Sequence, residues 1–138
     1  MAEYSLDIQG YYLQGKSDCI PASQGIFFVY RGLYDKERNM AILKELLYIG
    51  ETSNLNTSVN NQDNIKYSKS FFEDERLFFS YAIIAGSENE RKQIANILIK
   101  VTLPSYNIDA SSILNCDGSI IRIMGDRHAF LPSIINFV

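Results

Sequence analysis

Tryptophan is absent from the 138 residues, histidine occurs once, proline three times and cysteine twice. One histidine and two widely separated cysteines, Cys19 and Cys116, provide neither a disulfide framework nor the ligand spacing of a zinc site. The expectation is a reduced, intracellular protein whose thiols are buried or half-exposed, with no histidine nearby to activate them. His128, between Arg127 and Ala129, reads as a solvated turn residue rather than a general base. No apolar run approaches the ~18 residues that span a bilayer. The start, Met1-Ala2-Glu3-Tyr4-Ser5, lacks a basic stretch followed by an apolar one. No membrane association is therefore expected, and the cytoplasm is the expected compartment.

Basic residues are also in deficit. Thirteen Lys and Arg stand against sixteen Asp and Glu, for a net charge of −3 and an isoelectric point near 5.1. Non-specific nucleic-acid binding depends on Lys and Arg neutralising phosphates, so an acidic chain needs a local basic patch to achieve it. This shifts the expected partner towards a protein or a second copy of the chain. What the sequence does have is nine Tyr and eight Phe within a 46% hydrophobic composition. In such numbers aromatics are core and sheet material before they are a base-stacking platform. One domain spanning residues 1–138 is the natural reading.

Two segments rich in β-branched and aromatic residues, Gly25-Ile26-Phe27-Phe28-Val29-Tyr30 and Leu46-Leu47-Tyr48-Ile49-Gly50, read as paired, buried strands. Residues 31–45 between them are polar and read as a long hairpin connection, with Asp35-Lys36-Glu37-Arg38 as a solvated or recognition loop. Residues 1–24 alternate loosely, as one or two edge strands and a loop up to Pro21. Residues 53–62 suggest a short helix with Leu55 and Val59 on one side. Arg76–Ala85 reads as a third strand, central because it is apolar almost throughout. Ser87 followed three residues later by Glu90 is a capping box. It opens a helix with Ile94, Ile97, Leu98 and Val101 at helical spacing, stopped by Pro104. Beyond it, Ile113-Leu114, Ile120–Met124 and Ala129-Phe130-Leu131 suggest further β structure. Asp117-Gly118 and Gly125-Asp126 provide the turns.

GIFFVY at 25–30, LLYIGETSNL at 46–55 and ERKQIANILIKVTLPSYN at 90–107 resemble, in order and spacing, the GIY-YIG nuclease superfamily. The matching core covers about residues 20–108, with 109–138 as a C-terminal extension. The resemblance implies an α+β fold. Its core would be a small central antiparallel sheet of about three strands flanked by helices, here with an extra C-terminal β-hairpin-like segment. It also implies a site of two motif tyrosines, an arginine on the helix after the second motif and a metal-binding glutamate on the later helix. A hard divalent cation needs carboxylate oxygen, and charge developing on a phosphate needs a cation aimed at it.

Position by position, the chain departs from that scheme. Phe27 stands in place of the first tyrosine, while Tyr48 retains the second. The arginine position falls at Ser58, and no Lys or Arg occurs from Glu51 to Ile65. Aligning Pro104-Ser105-Tyr106-Asn107 with the family's ending puts the metal-binding position at Ala95, which cannot ligate. Asn107 matches the family's asparagine and is expected to hold a turn. The expected function is a catalytically degenerate binding or interaction module for nucleic acid or a protein partner, without a cofactor or metal. Glu51, Asn54 and Asn107 are its candidate binding residues. The alternative is a divergent metal-dependent endonuclease in which Tyr48 and Glu51 work with Mg²⁺ or Mn²⁺; Glu90 is a weaker substitute carboxylate. Against it, Glu51 also suits a helix N-terminus. A third reading, an unrelated α+β binding domain, would require strands 25–30 and 46–50 not to pair.

Overall fold

Alternation along the 25–30 segment puts Ile26, Phe28 and Tyr30 on one face and Phe27 and Val29 on the other, and all five are buried. Such a strand needs cover on both faces. The computed structural model describes residues 3–16, 18–107, 119–126 and 130–137, with only the backbone at 119, 136 and 137. In chain order its elements are β1 (Glu3–Leu13), β2 (Gly25–Asp35), β3 (Met40–Thr52), α1 (Leu55–Val59), a 3₁₀ segment (Gln62–Ser68), β4 (Glu75–Ile83), α2 (Glu88–Thr102), β5 (Ser119–Gly125) and β6 (Ile134–Phe137). The strands form one sheet in the order β3-β2-β4-β1-β5-β6. Ile26, Phe28 and Tyr30 pack with Ile94, Ile97 and Leu98 of α2 and Ile121 of β5. On the opposite face Phe27 and Val29 pack with Leu55, Val59 and Tyr67.

The small three-stranded sheet flanked by helices does not form. The protein is instead a curled, mixed six-stranded sheet with only 23% helix. Strands 25–30 and 46–50 do pair, with Phe27 opposite Gly50 and Val29 opposite Tyr48. β4 lies antiparallel on the other side of β2. The sheet continues past this trio because β1, expected at an edge, lies between β4 and β5. β1 runs parallel to β5 from Glu3↔Ile120 to Ile8↔Gly125. The C-terminal pair β5–β6 is thereby part of the main sheet rather than an appended hairpin. Pairing between chain ends more than a hundred residues apart leaves no trace in local periodicity.

The expected long connection is also mostly strand. β2 and β3 run on to Asp35 and from Met40, so the turn holds only residues 36–39. Polar residues suit this extension because they meet partners across it: Arg31 lies opposite Glu45 and pairs with it at 3.1 Å. Asn39 closes the turn with a positive φ of 51°, a conformation Asn tolerates well. Irregularities between Val29 and Tyr30 and between Arg31 and Gly32 absorb the extra residues. At Gly32 a Cβ would stand 2.5 Å from the Ile42 carbonyl oxygen.

α2 follows its sequence signals. Ser87 and Glu90 form the reciprocal capping box, and Leu103, with φ 51°, ends the helix just before Pro104. Ile94, Ile97 and Leu98 are essentially fully buried, each contributing about 1.5–3 kcal/mol by area. Val101, which spacing puts on that face, is exposed, and Ile99 is buried instead. The last strand lies at 134–137 rather than at 129–131, and Phe130 sits in a turn. Cys19 is exposed, not buried. Ile113-Leu114, Cys116, Asp117-Gly118 and His128 lie outside the described residues. No helix among the described residues is long and apolar enough to cross a membrane.

Candidate functional site

β3 is the outer strand of the sheet on its side, and α2 packs beside its C-terminal half. Between them lies an open cleft of about 460 Å³, walled by Tyr48, Gly50 and Glu51 from the strand, Lys92, Ala95 and Asn96 from the helix, and Tyr106 and Asn107 from the segment after it. Tyr48, Glu51, Ala95 and Asn107, four of the residues singled out from sequence, thus meet in one place. Phe27 lies just beneath, its ring centroid 5.8 Å from that of Tyr48. Ser58 and Asn54 do not line the cleft.

Each residue's local role follows from its contacts. Gly50 faces the Phe27 ring so closely that a Cβ would lie 2.6 Å from Phe27 Cζ and 2.8 Å from Tyr48 Cε2. The glycine lets two aromatic rings converge on one point of the strand. Asn54 caps α1 by accepting from Thr57 N at 3.1 Å. The Ser58 hydroxyl meets Thr52 Oγ1 at 2.7 Å. Both are turn and cap contacts. The Asn107 side chain lies along the open edge of β3, accepting from Ile49 N at 2.9 Å and donating to Ile49 O at 3.0 Å. Tyr106 N donates to Leu47 O at 2.8 Å. Together they satisfy strand groups that would otherwise be available for further pairing. Asn107 therefore does more than hold a turn: its amide bonds both main-chain groups of Ile49 and closes the sheet edge there.

The charges in the cleft are mutually satisfied. Arg91, buried on α2, donates from Nε to Glu51 Oε2 at 3.2 Å and from Nη1 to Gln24 Oε1 at 2.9 Å. Lys92 pairs with Glu88 at 3.0 Å. Two acids are thus balanced by two bases. No Lys or Arg occurs from Glu51 to Ile65; the fold brings one to Glu51 from forty residues further along the chain. The available signal was a charge in an apolar register, since Arg91 precedes Ile94, Ala95 and Leu98 by three, four and seven positions.

Tyr48 is half-buried, stacked on Tyr67 at 5.4 Å, and Tyr67 meets Tyr106 edge-on at 5.0 Å. Burial, and then the negative charge of Glu51, push the Tyr48 pKa above its ordinary value. Burial and the two neighbouring tyrosines push Tyr67 to about 12. Near neutrality both hydroxyls are therefore protonated donors and poor proton acceptors. Among the described residues no three His, Cys, Asp or Glu side chains converge in a way that could hold a metal ion. Glu51 is the carboxylate of the cleft wall, and its partner is Arg91. No protein-family model, curated protein or solved structure matches this chain.

Proposed function

We propose that the chain is a binding module built on a nuclease-like pair of strands, and that its Tyr48 cleft no longer hydrolyses phosphodiesters. The observation that carries this reading is the Arg91–Glu51 ion pair. Among the described residues Glu51 is the one carboxylate that lines the cleft with Ala95; it is committed to a buried guanidinium, whose removal would leave Glu51 beside an apolar helix face. A tyrosine held protonated by burial and a nearby negative charge is likewise a poor activator of water. The balanced charges and aromatic walls suit a neutral peptide or base edge better than a bare phosphate. With the acidic overall charge, this favours a protein partner or a second copy of the chain over duplex nucleic acid.

The alternative, a divergent metal-dependent endonuclease, draws support from one fact: Tyr48 and Glu51 wall the same cleft. Incubation with Mg²⁺ or Mn²⁺ and single-stranded, double-stranded and branched DNA separates the two. The binding-module reading expects no cleavage above the protein-free control. Metal-dependent cutting that Tyr48→Phe or Glu51→Gln abolishes would establish the alternative instead.

A further inference from the structure

At the other end of β3 the same sheet opens into a larger groove of about 950 Å³, lined by β1, the β2–β3 turn and the start of β4. Twelve of the thirteen Lys and Arg residues are described. Six of these, Arg31, Arg38, Lys44, Arg91, Lys92 and Arg122, are in ion pairs. Of the other six, Lys16, Lys36 and Arg76 all line this one groove, against a single lining carboxylate, Asp74. In an acidic chain, half of the uncommitted cations therefore share one concave surface. Arg76 is already positioned, donating from Nη1 to the Glu73 and Glu75 carbonyls at 2.9 Å. The groove also presents Tyr11 and Tyr34. The Tyr34 hydroxyl donates to Asn39 Oδ1 at 2.9 Å, and the Tyr11 hydroxyl donates to the Asp126 carbonyl, so both rings are tethered.

We infer that this groove binds a nucleoside phosphate. Three cations against one acid leave an excess of two positive charges, enough to offset the roughly two negative charges of a phosphate monoester at neutral pH. Tethered tyrosine rings provide stacking surfaces for a base. Asp74 is an acceptor for sugar hydroxyls or an exocyclic amine. The volume lies in the range of small-ligand sites, roughly 300–1,000 Å³. This goes beyond the reading of the Tyr48 cleft and does not depend on it, because the groove lies at the far end of β3 and shares no lining residue with that cleft.

The same chemistry is offered by a free mononucleotide and by the terminal nucleotide of a strand. Calorimetric titration of the full chain with AMP, adenosine, inorganic phosphate and a 5′-phosphorylated deoxyoligonucleotide distinguishes them. AMP is expected to bind at least tenfold more tightly than adenosine or phosphate alone. Binding should weaken several-fold when salt is raised from about 50 to 300 mM. A preference for AMP over the oligonucleotide indicates the free ligand, and the reverse indicates a strand end. Lys16→Ala/Lys36→Ala, which removes two exposed cations that have no ion-pair partner among the described residues, should keep the wild-type melting temperature and weaken AMP binding at least tenfold. Tyr34→Leu provides a second variant, expected to weaken AMP but not phosphate. No AMP binding at millimolar concentration, equal affinity for AMP and adenosine, or salt-independent binding would overturn the inference. Failure here leaves the Tyr48 reading untouched, since DNA cleavage is assayed separately.

Discussion

The two ends of β3 handle charge in opposite ways. Near Gly50, Glu51 and Glu88 meet Arg91 and Lys92, and an asparagine amide closes the strand edge. Near Met40, about 33 Å away along the strand at ~3.3 Å per residue, Lys16, Lys36 and Arg76 line a groove with a single acid. At the first end the polar groups satisfy one another and belong to the architecture. At the second they are held out to solvent without ionic partners among the described residues. The resemblance to nucleases directs attention to the first end, whereas the charge distribution directs it to the second. A residue's position in a motif and the charge it leaves without an ionic partner are thus two separate guides to a site, and here they point to opposite ends of one strand.

If the charges near Gly50 are structural, removing one must be costly. Arg91→Met should destabilise the fold by about 2–3 kcal/mol, because it strands a partly buried Glu51 carboxylate and frees the Gln24 oxygen. Urea denaturation of the variant measures this. Adding Glu51→Gln should recover at least about 1 kcal/mol, since the neutral amide no longer needs a counter-charge. A change below about 0.5 kcal/mol for Arg91→Met would mean that the pair is no more than an ordinary surface contact. The cleft would then have an available carboxylate after all.

A somewhat smaller effect is expected at Gly50. Gly50→Ala places a methyl 2.6 Å from the Phe27 ring, an overpacking that should cost about 2 kcal/mol. Phe27→Leu in the same chain should offset much of that cost, because the shorter side chain vacates the position. Double-mutant unfolding measurements test the coupling. Strict additivity would show that the glycine is needed for its backbone rather than for the converging rings.

These contacts also show where the sequence was readable. The capping box at Ser87 and Glu90, the strand pair around Phe27 and Gly50, and the α1 pair Leu55 and Val59 are local or near-local, and their signals lie within a few residues. β1–β5 is a parallel pairing of chain ends, and β2–β3 extends through a charged stretch in which Arg31 finds its acidic partners on neighbouring strands. Neither leaves a periodic signature, so one six-stranded sheet read as a three-stranded core with separate edge and C-terminal β segments. In the site, Tyr48, Glu51, Ala95 and Asn107 were found because a motif carries them. Arg91 and Tyr67 were missed because they reach the cleft from distant segments. The groove cations are scattered from Lys16 to Arg76 and read as ordinary surface charge until the fold assembles them.

The smallest expected effect concerns titration, and it compares the aromatic content of the two regions. Tyr67, stacked beneath the Gly50-end cleft, has its pKa raised from 10.0 to about 12, first by burial. Tyr12, lining the groove, is also raised to about 12, by burial and then by Tyr81. A folded-state pKa above the unfolded one means that the native chain holds the proton more tightly. The stabilisation is therefore complete below pH 10 and is lost as pH rises through about 12. Chemical denaturation across that window should show stability falling with pH, and Tyr67→Phe should flatten the fall. Tyr12→Phe should flatten it less, because Tyr12 is the more exposed of the two rings. Equal slopes in the two variants would mean that the tyrosine cluster beneath Tyr48 is no more sequestered than the groove wall, and that the Gly50 end is as open to a ligand as the Met40 end.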